Sequence, residues 1–507
     1  MPLGSNFQIS FICVLLLCLQ LSYGQEAYHE SWRPQIHFSP KAKWMNDPNG
    51  MVYYKGVYHL FFQYFPGATV WGPMHWGHAT SWDLMHWHQE PIALYPDTLG
   101  YIFSGSAVVD SANSSHFGQN GKEPLIAVFT QSDPIGEKAK RTDYQNQSIA
   151  YSLDSGATWN KYAGNPVLKN PGIIDFRDPK VFWYDPKKKW VMTLATKDRI
   201  SFFSSTDLKS WKKESEFGQG LGAHGGVWEC PDLFTLDDHG KPIWVLIVNL
   251  NPGGPNNGSA TQYFLGDFDG NKFVPMSMKT KWLDYGPDEY AGVTWSNTSG
   301  RKIFLGWMSN WLYASLVPTL SWRNAMTIPR QLQIRHVGGE TFVASLPVLE
   351  FNTLQYKGVD IENQYVNQDF NFSDMVKKPS VPCLIKLSAD EIKECAIVLS
   401  NDSGERLVIG YHSSPQEYYI DRTASGEVGF QKDFAAKHSA PRLTDNKSME
   451  LSLILDESSV ELFADNGLSV MTEIFFPDKP YDHFQIHVDG ALLFKKIEFI
   501  PLKSIWP

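Results

Sequence analysis

Three acids in this chain stand in the same kind of frame. Asp47 in "WMNDPNG", Asp178 in "FRDPK" and Glu229 in "WECPD" each lie just ahead of a proline, and an apolar run follows each. Asp-Pro and Asn-Gly are turn dipeptides, so each acid is expected at the lip of a strand entering a sheet. Taken singly, each frame reads as a turn marker, and "YDPKKK" at 184–189 is read as no more than that. Taken together, three convergent acids suggest chemistry. Two carboxyl groups facing each other across a sugar can break a glycosidic bond, one as nucleophile and one as proton donor, while a third steadies positive charge. Three acids can also hold a metal ion, although calcium sites draw on closely spaced loop positions and these acids are far apart in sequence.

Converging them requires a fold that brings distant strand starts together. Short apolar or alternating runs such as "GVYHLFFQYF", "PLIAVFTQ", "KKWVMTLAT" and "PIWVLIVNL" recur between Gly, Asn, Asp and Pro clusters, without a long amphipathic helix. The chain therefore reads as all-β. "SWDLMHW" at 81–87, "SLDSGATW" at 152–159 and "SSTDLKSW" at 204–211 are variants of one turn motif, and a repeated turn after a strand suggests propeller blades, with ordinary hairpins as the alternative. In a propeller the inner strands line one axial channel, where acids at equivalent strand starts would meet. After about residue 335 the texture changes, and a β-sandwich is expected from 355 to 507 as structural support.

Composition narrows the class. With 507 residues, 43% of them hydrophobic, the chain can bury a large core in two or three domains. A net charge of −10 offers nothing to nucleic acid or an anionic membrane surface. Eighteen Trp and twenty-two Tyr suit sugar-stacking surfaces, though all-β cores use aromatics too. Residues 7–21 form an apolar run that reads as part of a signal peptide spanning 1–24, with an uncleaved anchor as the alternative. Seven Asn-x-Ser/Thr sequons, at Asn113, Asn146, Asn257, Asn297, Asn371, Asn401 and Asn446, fit a secreted, N-glycosylated product. Once Cys13 and Cys18 leave with the signal, Cys383 and Cys395 are expected to pair, and Cys230 reads as a small buried strand residue.

"HFSPKAKWMNDPNG", "FSGSAVVD", "FRDPKVFW" and "WECPDLF" together resemble glycoside hydrolase family 32, the β-fructofuranosidases that include invertases, inulinases and levanases. "DRTASGEVGFQKDF" and "SSVELFADNG" are similar to the family's C-terminal module. The resemblance implies a five-bladed β-propeller, placed here at 33–340, followed by the β-sandwich. It implies a retaining mechanism in which Asp47 is the nucleophile, Glu229 the general acid/base and Asp178 the transition-state stabiliser. Asn46, Gln63, Trp71, Phe103, Ser104, Arg177 and Trp322 are implied as substrate-binding residues, and neither metal nor cofactor is implied. Asp288-Glu289-Tyr290 replaces the Asp-Phe-Tyr of most invertase-like members, and "DYGPDEYAGVTW" is more similar to the levanase and exo-fructanase branch. The expected activity is hydrolysis of terminal β-fructofuranosides, sucrose first, with levan and inulin beside it. A fructosyltransferase and an inactive sugar-binding protein are the competing readings.

Overall fold

β-Branched and aromatic residues fill short runs in which every second side chain, or every side chain, is buried, and these runs pair as antiparallel sheets. The computed structural model describes residues 28–376 and 380–507, so the expected signal peptide at 1–24 lies outside the described residues. Among the described residues, no helix is long and apolar enough to cross a membrane.

Five sheets of a propeller follow one another, each counted from its innermost strand. The first is built on Lys43–Tyr54, the second on Tyr101–Val109, the third on Phe176–Tyr184, the fourth on Val227–Asp238 and the fifth on Tyr290–Thr294. The repeated turn motif is the hairpin between the third and fourth strands of the first three blades. There Ser81, Ser152 and Ser205 donate to Asp83, Asp154 and Asp207, whose carboxylates accept backbone N–H groups further along the turn. The fourth blade has a shorter relative of it, in which Asp269 accepts from Asn271 and Lys272.

The ring closes between its first and fifth blades. Ser296 N–H donates to Met51 O and Tyr53 N–H to Ser296 O, both at 3.0 Å. Trp322 and Arg323 then add a short parallel strand beside Lys43 and Trp44. The last strand of the fifth blade, Glu340–Pro347, begins at the expected domain edge of 340 and runs seven residues past it. Many tryptophans pack between strands and blades rather than offering sugar platforms: Trp44, Trp76, Trp228, Trp295 and Trp307 are fully buried.

The sandwich hangs on one long strand, His483–Pro501. Its first part pairs with Cys395–Ser400 and its later part with Cys383–Ala389, so a single strand serves both layers. The expected Cys383–Cys395 crosslink is absent, and both thiols are free and buried. The reason is register: Cys395 Sγ lies 3.9 Å from Met449 Sδ, and Met449 pairs with Ala389, at the far end of the strand that begins with Cys383. Six strand residues separate the two positions by roughly 20 Å, well beyond disulfide reach.

Fully buried charges join the two parts. His37 holds Asp456 at 2.7 Å and Glu461 at 2.9 Å, and Arg330 bridges Asp284 at 2.8 Å to Glu461. Asp288 accepts from Arg422 and from the Tyr313 hydroxyl, each at 2.5 Å. Charges this deep hold a structure together only when each has its partner.

Candidate active site

The three acids lie near the starts of the innermost strands, as their turn dipeptides suggest, but at bulges within the strands rather than in turns ahead of them. Each of the five innermost strands breaks register at the same end: between Met45 and Pro48, Ile102 and Gly105, Arg177 and Lys180, Glu229 and Asp232, and Tyr290 and Val293. A bulge inserts an extra residue and re-aims its side chain. Asp178, Cys230 and Ala291 accordingly have φ of 64°, 41° and 55°, a left-handed backbone that costs about 1–3 kcal/mol per residue. Asn49-Gly50 is a second irregularity of the first strand rather than a hairpin. Gly50 has φ 51°, and a Cβ there would meet Phe61 and Trp76 at 2.7 Å.

These bulges surround an open cavity of about 270 Å³ whose walls include Asp47, Asp178 and Glu229. Asp47 accepts from Asn46 Nδ2 at 2.9 Å on Oδ1 and from Ser104 Oγ at 2.6 Å on Oδ2. Glu229 is gripped on both oxygens: Arg177 donates to Oε1 from Nε and Nη2 at 3.1 and 2.9 Å, and Tyr290 donates its hydroxyl hydrogen to Oε2. Asp178 accepts the Cys230 N–H at 3.0 Å and lies 3.9 Å from Arg177 Nε. Arg177 also bonds Asp175, so one guanidinium ties three carboxylates into one cluster.

Electrostatics follow from crowding. Burial raises the pKa of Asp47, the Glu229 charge adds to this, and the Ser104 and Asn46 hydrogen bonds oppose it. Burial lifts Asp178 to about 7, with Arg177 pulling it down and Glu229 and Asp47 pushing it up. A pocket holding this much negative charge suits a reaction centre that becomes positive, and its three carboxyls can supply a nucleophile, a proton and charge stabilisation.

Of the other expected binding residues, Asn46, Gln63, Trp71, Phe103, Ser104 and Arg177 all reach the pocket. Gln63 Nε2 is buried with no hydrogen-bond partner among the described residues, as suits a donor kept for a ligand oxygen. Trp71 is 40% exposed and meets Phe103 edge-on at 6.1 Å, which leaves an aromatic surface at the rim. Trp322 does not reach the pocket. It is buried under the Arg33 guanidinium, 4.3 Å away, and faces a separate small cavity with Pro34, Ser458 and Phe476 at the propeller–sandwich seam.

The structure adds residues that sequence reasoning left out. Tyr144, Gln145, Asp175 and Trp311 line the pocket, as does Glu137 from the short helix Pro134–Lys138. Trp311 is braced by Trp44, stacked at 6.0 Å, and by Trp307 at 4.9 Å. Cys230 is buried as expected, yet its Sγ lies 3.5 Å from Asp47 Oδ2 and 3.7 Å from Asp178 Oδ2, between two of the acids. Glu289 turns away from the pocket. Its carboxyl sits where a Cβ on Gly292 or Gly306 would collide with it, so this departure from Asp-Phe-Tyr belongs to the interior of the fold and leaves the pocket wall untouched. Tyr290 alone carries a sequence signal, its place in the Asp288-Glu289-Tyr290 motif.

Five blades and three clustered carboxyls around one open pocket define a carbohydrate-cleaving enzyme of the propeller type. Residues 37–345 match the N-terminal domain of glycosyl hydrolases family 32, and residues 350–501 match the C-terminal domain of that family. The chain belongs to glycosyl hydrolases family 32. It is 44% identical to a levanase of Bacillus subtilis (strain 168) over 98% of this chain and 75% of that protein. It is 38% identical to an extracellular exo-inulinase of Aspergillus niger over 94% of this chain and 96% of the relative. The exo-inulinase structure from Aspergillus awamori superposes with a TM-score of 0.87 at 37% identity, covering 94% of this chain and 100% of that one. A β-fructofuranosidase of Schwanniomyces occidentalis complexed with fructosyl-erythritol gives 0.84 at 33% identity, over 96% of this chain and 99% of that one.

Proposed function

We propose that this chain is a retaining β-fructofuranosidase that releases fructose from the non-reducing ends of sucrose and of fructans, and that it acts outside the cell. The observation that carries this reading is the placing of Asp47, Asp178 and Glu229 around one pocket, with Arg177 between two of them. Names among the relatives, levanase and extracellular exo-inulinase, support the fructan side and the extracellular location.

Asp47 is the nucleophile. Ser104 and Asn46 hold its two oxygens, so it is preorganised to attack the anomeric carbon. Glu229 gives its proton to the leaving oxygen as the fructosyl ester forms on Asp47, and afterwards takes a proton from the water that opens that ester. Asp178 accepts hydroxyls of the fructose ring and steadies the oxocarbenium-like charge in both steps. Those hydroxyls hydrogen-bond its charged form and so lower its pKa from the value of about 7 in the free pocket. Asn46, Gln63, Trp71, Phe103, Ser104 and Arg177 shape the fructose site, and Trp311 and Tyr144 extend its wall.

The test is to incubate purified protein with sucrose, inulin and levan and to identify the sugars released. Free fructose from all three, without intermediate oligomers from the polymers, is expected. Oligofructosides from sucrose as the main product would make the chain a transferase, and no release from any of them would refute the reading. For glycosylation, Asn257, Asn371 and Asn446 are exposed acceptors, whereas the amide of the exposed Asn297 is engaged with Tyr53 O. Asn401 is buried, and its amide donates to Glu405 and to Lys479 O, which disfavours a glycan there.

A further inference from the structure

On the propeller face away from the pocket, three metal-ligating side chains from neighbouring blades stand together. The strand Val227–Asp238 carries Glu229 near its start and ends in Asp238, a run of nine residues that separates the two acids by roughly 30 Å. His239 follows at the hairpin tip with φ 51°, and His336 comes from Arg330–Val337 of the fifth blade. One ligand atom from each of the three lies within 4.8 Å of the other two, a spacing no other trio of His, Cys, Asp and Glu reaches among the described residues.

We propose that Asp238, His239 and His336 bind a divalent transition-metal ion of the zinc type and so clasp the fourth and fifth blades together. Two imidazoles and a carboxylate are donors that zinc, nickel and copper accept readily, whereas calcium and magnesium take oxygen donors. Zinc bonds of about 2.1 Å put neighbouring donors some 3–4 Å apart, so side chains within 4.8 Å of one another close on an ion by small rotamer shifts. His336 is already oriented for this. Its Nδ1 is 3.1 Å from Thr341 Oγ1, which fixes the ring and leaves Nε2, 2.8 Å from Asp238 Oδ1, to face the site. The His239 ring lies nearly parallel to it, at 6.3 Å and 16°. The hairpin tip is also held, because Asp237 accepts the Gly240 N–H on both oxygens, at 3.1 and 3.2 Å. Both histidines are exposed, so water completes the coordination.

The plainer alternative is a surface ion pair between His336 and Asp238, in which His239 takes no part. Zinc separates the two. Tag-free protein stripped with a chelator should bind one zinc ion per chain when titrated with zinc sulfate by calorimetry, and should melt several degrees higher with excess zinc, reversibly on adding EDTA. The His239→Ala/His336→Ala double variant should lose the binding heat and the shift in Tm while keeping its circular dichroism and its kcat/KM on sucrose, since the pocket is remote. Asp238→Asn, which keeps the side-chain shape, should weaken zinc binding at least tenfold. Absence of zinc binding, or binding that survives unchanged in the double variant or in Asp238→Asn, would overturn the proposal.

Discussion

Tyr290 holds one oxygen of Glu229 and is itself fully buried, so the proposed acid/base residue is anchored from the fifth blade while its backbone belongs to the fourth. Arg177 holds the other oxygen from the third blade. Tyr290→Phe keeps the ring and deletes one hydrogen bond to a charged group, a loss of about 1.5–3 kcal/mol. kcat/KM on sucrose should therefore fall roughly 10- to 100-fold, with the folded circular-dichroism spectrum retained. Unaltered kinetics would show that Arg177 alone positions Glu229.

The carboxyls proposed as nucleophile and acid/base should separate by rescue chemistry. Asp47→Ala removes the attacking group, so activity should collapse on every fructoside whatever its leaving group. Glu229→Ala keeps the nucleophile, so a fructoside with a good leaving group should still form the ester, and azide, which needs no deprotonation, should speed turnover and yield fructosyl azide. Azide rescue of Asp47→Ala with none for Glu229→Ala would reverse the two roles. Asp178→Ala should slow both steps.

Ser104 stabilises the ionised form of Asp47 against the burial that raises its pKa. Ser104→Ala should therefore raise that pKa further and move the acid limb of the kcat/KM profile to higher pH. A pH profile with an unmoved acid limb would mean that Asp47 does not govern it.

His37 couples stability to pH. Its imidazolium lies between Asp456 and Glu461, which overcome the effect of burial and raise its pKa from 6.5 to about 9. Because the folded value is raised, the stabilisation is complete below the unfolded value near 6.5 and is lost as pH climbs through 9. That interval corresponds to about 3 kcal/mol. Tm at a fixed scan rate should drop across pH 6.5–9 in the wild-type protein. His37→Gln should melt lower at pH 6 and show a shallower drop, and an equally steep drop would place the titration elsewhere.

The parts of this architecture that could be read from sequence are those written in local chemistry. Ser81, Ser152 and Ser205 mark the blades because a Ser-x-Asp turn is stabilised within a few residues of itself. The acid-proline frames flagged all three carboxyls for the same local reason. The bulges stayed hidden because a bulge is a relation between two strands, and nothing in "FRDP" states that Arg177 opposes Ala195 while Lys180 opposes Thr193. Trp322 and the Cys383–Cys395 pair failed on the same ground. A tryptophan beside a motif reads alike whether it meets sugar or Arg33, and twelve residues of separation say nothing about which ends of two strands adjoin. Cys230 reads as a buried residue and is one; that its neighbours are Asp47 and Asp178 depends on the first and third blades meeting the fourth.

The seam between the first and fifth blades joins Met51 to Ser296 across 245 residues. A growing chain holds all three carboxyls as soon as Glu229 has been added, but the ring around them closes only once the fifth blade is made and Ser296 reaches Met51. The entropy of closing so long a loop rises only slowly with its length, but non-local pairing makes such a step slow. A chain cut before Tyr290 would therefore carry every acid but lack both the closed ring and the hydroxyl that holds Glu229.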